Sequence, residues 1–260
     1  MKVLILKGNA PRHNYFAKEI SKIEGVEPIV ISFERLSQQR LGKMMKKDFF
    51  TFLSRLTKYV IQFLRGYEKK EREYFGDLKI GQKTFFNINS EESLAYIKSV
   101  QPDLLVIFGA PIISKRIVEI PEFGAINLHG GISPWYKGGN TIFWPLYKKD
   151  FDKIGATIHY ATAKVDSGRI LARVYPDINP KDSELTVSLK TFRYATEEFC
   201  NLVRYIVKAK AAPLGKEQEG NGNLYLAKYR TLWIDIIGHK TIKTNLKNCN
   251  TELKIEQYYR

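Results

Sequence analysis

The chain has 260 residues, 44% of them hydrophobic, with a formal net charge of +15 at pH 7. That is ample for a buried core in one α/β domain with a modest appendage. No stretch approaches the roughly 18 consecutive apolar residues of a membrane span. Cys200 and Cys249 lack metal or redox spacing, which argues against a disulfide scaffold and for a reducing cytoplasmic compartment. Met1-Lys2 leads into the apolar run Val3 to Leu6, too short for a signal peptide. Basic residues concentrate from Arg40 to Lys83 and in the tail. They suit either a solvated lysine-rich surface or attraction to an anion, and no nucleic-acid motif of known spacing accompanies them.

In chain order, Val3 to Lys7 reads as a first strand, followed by the turn Gly8 to Asn14 and an amphipathic helix to about Ile23. A glycine between a strand and a helix start suits an anion-binding turn. Arg12 and His13 in that turn either bind a phosphate of a substrate or cap and solvate the loop. Neither G-x-G-x-x-G nor a P-loop is present, so a dinucleotide or ATP site is poorly supported. Pro28 to Ser32 is a second strand. Over about 36–75 apolar residues such as Phe49, Phe52, Leu53, Leu56, Val60 and Phe63 recur at three- and four-residue spacing, which predicts a helical insertion. It serves as scaffold over the sheet edge, or as an acceptor lid or docking element. Ser90 with Glu91 and Glu92 marks a helix start, and that helix ends near Val100 before Pro102. Leu104 to Phe108 is a buried parallel strand, and Gly109 to Ile113 is the turn at its carboxyl end, where ligands of open α/β sheets sit.

The segment Asn127-Leu128-His129 carries the chemistry. Alternate residues of a strand share a face, so Asn127 and His129 project side by side. The Asn amide is a donor, His can donate or accept a proton, and Asp166 in Val165-Asp166-Ser167-Gly168 can orient the His or take a proton itself. The three suit acyl transfer through an oxyanion, with no Ser or Cys nucleophile. Thr141 to Tyr147 begins a short aromatic helix, read as packing on the sheet rather than as a cofactor box. Ile154 to Ala161 and Gly168 to Pro176 are strands flanking the Asp166 turn, with His159 in a packing or bonding role. Asp182 or Ser183 caps a long helix to about Ala211, stopped by Pro213. Beyond it, Leu224 to Tyr229, Leu232 to Ile237 and Thr241 to Leu246 read as small antiparallel strands.

The run Gly124 to Gly138, with Asn127, His129, Pro134 and Gly138, is followed by Trp144, Gly155-Ala-Thr157-Ile-His159 and Asp166-Ser-Gly168. This ordered set resembles the signature of the folate-dependent formyltransferases over roughly residues 100 to 180. It departs at Gly130-Gly131-Ile132-Ser133-Pro134, where that family commonly has Pro-Ser-Leu-Leu-Pro, leaving open whether Ser133 replaces the loop serine.

The resemblance implies a Rossmann-like, open, mostly parallel sheet flanked by helices, with the helical insertion and a small C-terminal β appendage. The expected division is a catalytic domain over 1–212 and a β-rich appendage over 213–260. It implies 10-formyltetrahydrofolate as co-substrate and no metal. Phe108, Gly109, Ala110, Pro111 and Ile112 are expected to hold the pterin, Asn127, His129 and Asp166 to be catalytic, and Arg12, His13, Ser133 and Gly138 to touch the acceptor. The expected reaction is transfer of a formyl group to the amine of a nucleotide-linked amino sugar, since the chain exceeds a minimal glycinamide-ribonucleotide enzyme and lacks a full tRNA-binding domain. Alternatives are a methionyl-tRNA formyltransferase with tRNA as partner, a formyltetrahydrofolate hydrolase, and a non-catalytic folate-binding protein. The strands after Gly220 are expected to support a homodimer or the sugar site.

Overall fold

A computed structural model describes residues 1–33, 57 and 66–260. The strands are β1 (Lys2–Lys7), β2 (Glu27–Phe33), β3 (Lys83–Phe85), β4 (Leu104–Phe108), β5 (Ala125–His129), β6 (Tyr136–Gly138), β7 (Ala156–Tyr160), β8 (Ile170–Tyr175), β9 (Asn223–Tyr225) and β10 (Lys254–Gln257). The α-helices are α1 (Pro11–Ser21), α2 (Tyr67–Phe75), α3 (Glu91–Val100), α4 (Lys115–Val118), α5 (Phe143–Lys148), α6 (Glu184–Ala209) and α7 (Leu232–Leu246). Of the helical insertion expected over about 36–75, α2 is described; Phe49, Phe52, Leu53, Leu56, Val60 and Phe63 lie outside the described residues.

Eight strands form one open sheet in the order β10-β8-β7-β5-β4-β1-β2-β3. The β3-β2-β1-β4-β5 half is parallel, and the β5-β7-β8-β10 half is antiparallel. The parallel strands are covered on both faces, which is why Val3-Leu-Ile-Leu and Leu104-Leu-Val-Ile-Phe are apolar at every position. Side chains alternate between the layers. Val3, Ile5, Leu104 and Val106 pack with Phe16, Ile20, Phe199 and Val203 of α1 and α6. Leu4, Leu6, Leu105 and Ile107 pack with Leu94, Ile97 and Ile117 of α3 and α4. Lys7 ends β1 fully buried, its Nζ donating to Asn14 Oδ1 at 2.6 Å, and burial lowers its pKa to about 8. Ser90 caps α3 by accepting the Ser93 N–H, and Ser183 caps α6 by accepting that of Thr186.

The C-terminal part corrects the strand reading of 232–237 and 241–246, which form the single helix α7 capped by Thr231. Its buried residues Asp235, Gly238, Ile242, Asn245 and Leu246 follow helical spacing, yet three of the five are not apolar. Trp233, Ile236 and Ile237 lie on the exposed side, Trp233 at 69%. Hydrophobicity therefore hides the period, because specific contacts select the buried stripe. Gly238 admits the Phe143 ring, and Asn245 Nδ2 donates to the Leu146 and Tyr147 carbonyls at 2.9 and 3.0 Å. Asp235 meets Arg230 at 2.5 Å, and Arg230 also pairs with Glu184 at the start of α6 at 2.6 Å. β9 pairs with β6 in parallel, and β10 is the outer antiparallel neighbour of β8. No described helix is long and apolar enough to cross a membrane.

Arg230 and Asp235 are buried, and removing the cation leaves the Asp235 carboxylate buried without it and Glu184 at the cavity wall unpaired by it. Arg230→Met is expected to lower unfolding free energy by about 3–5 kcal/mol, measured by urea titration. A midpoint and slope equal to the wild type would show that the cluster contributes nothing to the fold.

Candidate active site

β5 ends at the sheet's carboxyl edge, and the antiparallel register with β7 sets Asn127 opposite His159 and His129 opposite Thr157. The chain then leaves β7 and returns through a loop into β8. In that loop Asp166 adopts φ 47°, a left-handed conformation that Asp tolerates better than most residues. Asp166 Oδ2 lies 3.3 Å from His129 Nδ1, and Oδ1 lies 3.5 Å from His159 Nε2. The Gly138 N–H donates to Oδ2 at 2.8 Å. Asn127, His129 and Asp166, singled out from the sequence, thus meet in one cluster, with His159 as a fourth member.

Backbone carbonyls fix both rings. His159 Nδ1 donates to the Tyr160 carbonyl at 2.8 Å, and Nε2 faces both Asn127 and Asp166. Asn127 Nδ2 is 3.3 Å from His159 Nε2, and Asn127 lines the cavity. His129 Nε2 donates to the Tyr136 carbonyl at 2.8 Å, so Nδ1, facing Asp166, is the nitrogen that gains or loses a proton. Burial pulls the His129 pKa below its ordinary value, against Asp166 and the Tyr136 carbonyl, which favour the charged ring. Burial alone would raise the Asp166 carboxyl. The His129 charge, His159 and the Gly138 N–H outweigh it and hold the carboxyl well below the usual carboxylate range.

Two glycines make room for this geometry. A Cβ on Gly131 would stand 2.6 Å from both His129 Nε2 and the Tyr136 carbonyl, the two atoms of that hydrogen bond. Gly138 has φ 90°, and a Cβ there would run into the Tyr225 carbonyl of β9.

The cluster lines a cavity of about 920 Å³ beyond the carboxyl ends of β1, β4 and β5. Phe108, Gly109, Ala110, Pro111 and Ile112 all line it, as do Arg12, His13 and Gly138. On the Phe108–Ile112 side, Ile107, Ile113 and Val118 make an apolar wall, and the Ile112 side chain is 67% exposed. Gly109, at φ 76°, packs closely against the His13 ring there. The donor set and apolar wall fit a flat heterocycle such as a pterin.

The opposite side is built from paired charges. The expected anion-binding turn before α1 holds the chain's own Glu71, whose Oε1 accepts from Arg12 N–H at 3.1 Å and from Arg12 Nη1 at 2.8 Å. Arg12 also lies over the Phe192 ring, 5.4 Å from its centroid. His13 is buried, and its Nδ1 accepts the Ala10 N–H at 3.2 Å, so it caps the helix start. Ser133 is corrected: it is fully buried and does not line the cavity. Its N–H donates to Thr157 Oγ1 at 2.9 Å, and its carbonyl accepts from Arg173 Nη2 at 2.9 Å, which holds it against β7 and β8. Sequence reasoning missed Glu71, Glu184 and Arg230 as cavity residues, and the Tyr136 carbonyl as partner of His129. A carbonyl carries no side-chain signal, and the pairing of distant charges has no local pattern.

The formyl transferase family profile matches residues 62–203. A methionyl-tRNA formyltransferase of Bacillus cytotoxicus is 29% identical over 134 residues, covering 51% of this chain and 42% of that protein. The chain spans less than half the length of the first curated relatives it matches. A sugar N-formyltransferase from Shewanella sp. FDAARGOS_354 shares the fold with a TM-score of 0.60 at 18% identity, over 88% of this chain and 78% of that one. The formyltransferase PseJ from Anoxybacillus kamchatkensis, solved with UDP-4,6-dideoxy-4-formamido-L-AltNAc and tetrahydrofolate, aligns with a TM-score of 0.55 at 18% identity. That alignment covers 95% of this chain and 97% of that one.

Gly131→Ala is expected to displace the His129 ring and lower kcat by about 100-fold, with the fold retained by circular dichroism. Wild-type kcat in a folded variant would show that the Tyr136 carbonyl does not set the ring. Asp166 also makes a stability prediction. Its folded pKa is depressed, so its contribution is present above the unfolded value of about 3.9 and is lost as pH falls towards the folded value. The stability difference between wild type and Asp166→Asn is expected to shrink as pH drops below about 4. A difference constant with pH in denaturant titrations would contradict the depressed carboxyl.

Proposed function

The chain belongs to the formyl transferase family, and on that premise we propose that it transfers a formyl group from 10-formyltetrahydrofolate to the amine of a nucleotide-linked amino sugar. The observation that carries the reading is the Asn127, His129, His159 and Asp166 cluster, which lines the cavity beside the apolar Phe108–Ile112 wall. The co-substrate supplies an electrophilic formyl carbonyl, and Phe108 to Ile112 would hold its ring. Asn127, set beside His159, donates an amide hydrogen where negative charge develops on oxygen. The amine sheds a proton as its bond to the formyl carbon forms, and N10 of the co-substrate would take one up as the N10–formyl bond breaks. A carboxyl as depressed as that of Asp166 does not keep a proton at neutral pH, so His129 Nδ1 holds it and Asp166 stabilises the charged ring.

Support for a sugar-nucleotide acceptor comes from PseJ, whose chain matches this one end to end and was solved with a UDP-linked formamido sugar. A second reading, with charged methionyl-tRNA as acceptor, draws on the curated relatives and the net charge of +15.

Purified protein incubated with 10-formyltetrahydrofolate and a panel of nucleotide-linked amino sugars is expected to add the mass of one CO to one sugar, read by mass spectrometry. Formyl gain on methionyl-tRNA alone would favour the second reading, and free formate would indicate hydrolysis. Asn127→Ala is expected to lower kcat by about 100- to 1,000-fold. His129→Ala should likewise abolish turnover, with tetrahydrofolate binding kept by calorimetry in both variants. Near-wild-type turnover in either variant would place the active site elsewhere.

A further inference from the structure

The segment after Pro213 runs back along the loop that carries Asp166. Ile170 and Lys216 exchange backbone hydrogen bonds of 2.7 and 2.8 Å. Arg169 Nε and Nη2 donate to the Leu214 and Gly215 carbonyls, and the Tyr160 hydroxyl donates to the Pro213 carbonyl. Two residues past Lys216, Gln218 directs its amide at the turn itself. Nε2 donates to the Asp166 carbonyl at 2.9 Å and to the Gly168 carbonyl at 2.8 Å. Gln218 Oε1 is buried and has no hydrogen-bond partner among the described residues. That amide is therefore placed for its two hydrogens, since the reversed orientation would set an oxygen against two carbonyl oxygens.

Asp166 is a non-glycine residue at positive φ, and such a turn persists only where its surroundings over-determine it. Its side chain is held by His129, His159 and the Gly138 N–H, and its backbone by Gln218. Gly168 closes the turn against Tyr160, where a Cβ would run into the Tyr160 carbonyl, so glycine is what lets the loop lie this close to β7.

We propose that Gln218 is a positioning residue for Asp166, its amide tying the carbonyls of Asp166 and Gly168 so that the carboxylate reaches both His129 and His159. This rests on the reading of Asp166 as part of the catalytic cluster. The charged and titratable groups around that carboxylate are His129 of β5, His159 of β7, Lys164 on its own loop and Lys137 of β6. The Lys137 Nζ donates to Ser167 Oγ at 3.2 Å. A loosened turn weakens the two histidine contacts and the Gly138 hydrogen bond. The carboxylate then supports the His129 cation less, so the acidic limb of the kcat–pH profile, which the base His129 sets, moves to lower pH.

Gln218→Met keeps the side-chain length and removes both donors, whereas Gln218→Glu puts oxygen where nitrogen donates. Gln218→Met is expected to lose about 10- to 100-fold in kcat, with KM for both substrates little changed and the acidic limb moved to lower pH. Gln218→Glu should lose more. A purely structural role would lower the melting temperature and leave kcat and the limb in place, which would overturn the inference. If Gln218→Glu fails to fold, Gln218→Met decides alone. Asp166→Asn, measured in parallel, separates the two levels. If it is inactive while Gln218→Met keeps the wild-type kcat and pH profile, the inference alone fails. If Asp166→Asn turns over normally, the catalytic reading fails and the inference falls with it.

Discussion

The structure depends on keeping one carboxylate ionised where little water reaches it. Burying a charge is costly unless charged and hydrogen-bonding partners replace the lost solvent. Asp166 draws its partners from separate parts of the chain: His129 from β5, His159 from β7 and the Gly138 N–H from β6. Those partners are in place only if the β5–β7 register is kept and the loop after β7 turns through positive φ. The change from parallel to antiparallel pairing at β5 is therefore part of the site. It puts His159 opposite Asn127, where a parallel crossover would carry the chain to the other end of the sheet.

The C-terminal third completes this site from outside. β9 pairs with β6 and fits against Gly138, the residue whose N–H meets Asp166. Arg230, just before α7, reaches the cavity and pairs with Glu184 at the start of α6. Stacked Tyr136, Tyr225 and Trp144 join β6, β9 and α5 beneath the cavity. A segment with few long apolar runs is anchored here by aromatic stacking, one buried ion cluster and side-chain amides.

The sequence was legible where local physics and tertiary fold agree. The parallel strands are apolar on both faces, Ser90 and Ser183 cap helices as their residue types favour, and Asn127 and His129 alternate as a strand requires. The N-x-H pattern and the Asp-x-Gly turn could be paired by resemblance before any distance was known. It was illegible where partners are remote. The stripe Asp235, Gly238, Asn245 is buried because Arg230, Phe143 and the Leu146 carbonyl wait for it, and no hydropathy pattern encodes that. Ser133 looked available because serine usually is. Arg173 and Thr157, both distant in sequence, are what bury it.

The paired charges of the cavity bear on the chemistry as well as the fold. The described acidic residues that line it are Glu68, Glu71, Asp166 and Glu184. Each faces a cation or a histidine: Arg72, Arg12, His129 and Arg230. An acceptor amine reacts only as the free base. An unpaired carboxylate within a few ångströms would stabilise the ammonium form and raise the amine's pKa. Arginine stays protonated throughout the working pH range, so a carboxylate neutralised by it exerts little such pull. The same pairing leaves Arg12 and Arg230 less attractive to phosphate than their number suggests, since an incoming anion must share each guanidinium with a resident glutamate. The cavity thus favours a neutral nucleophile near the Asn127 amide.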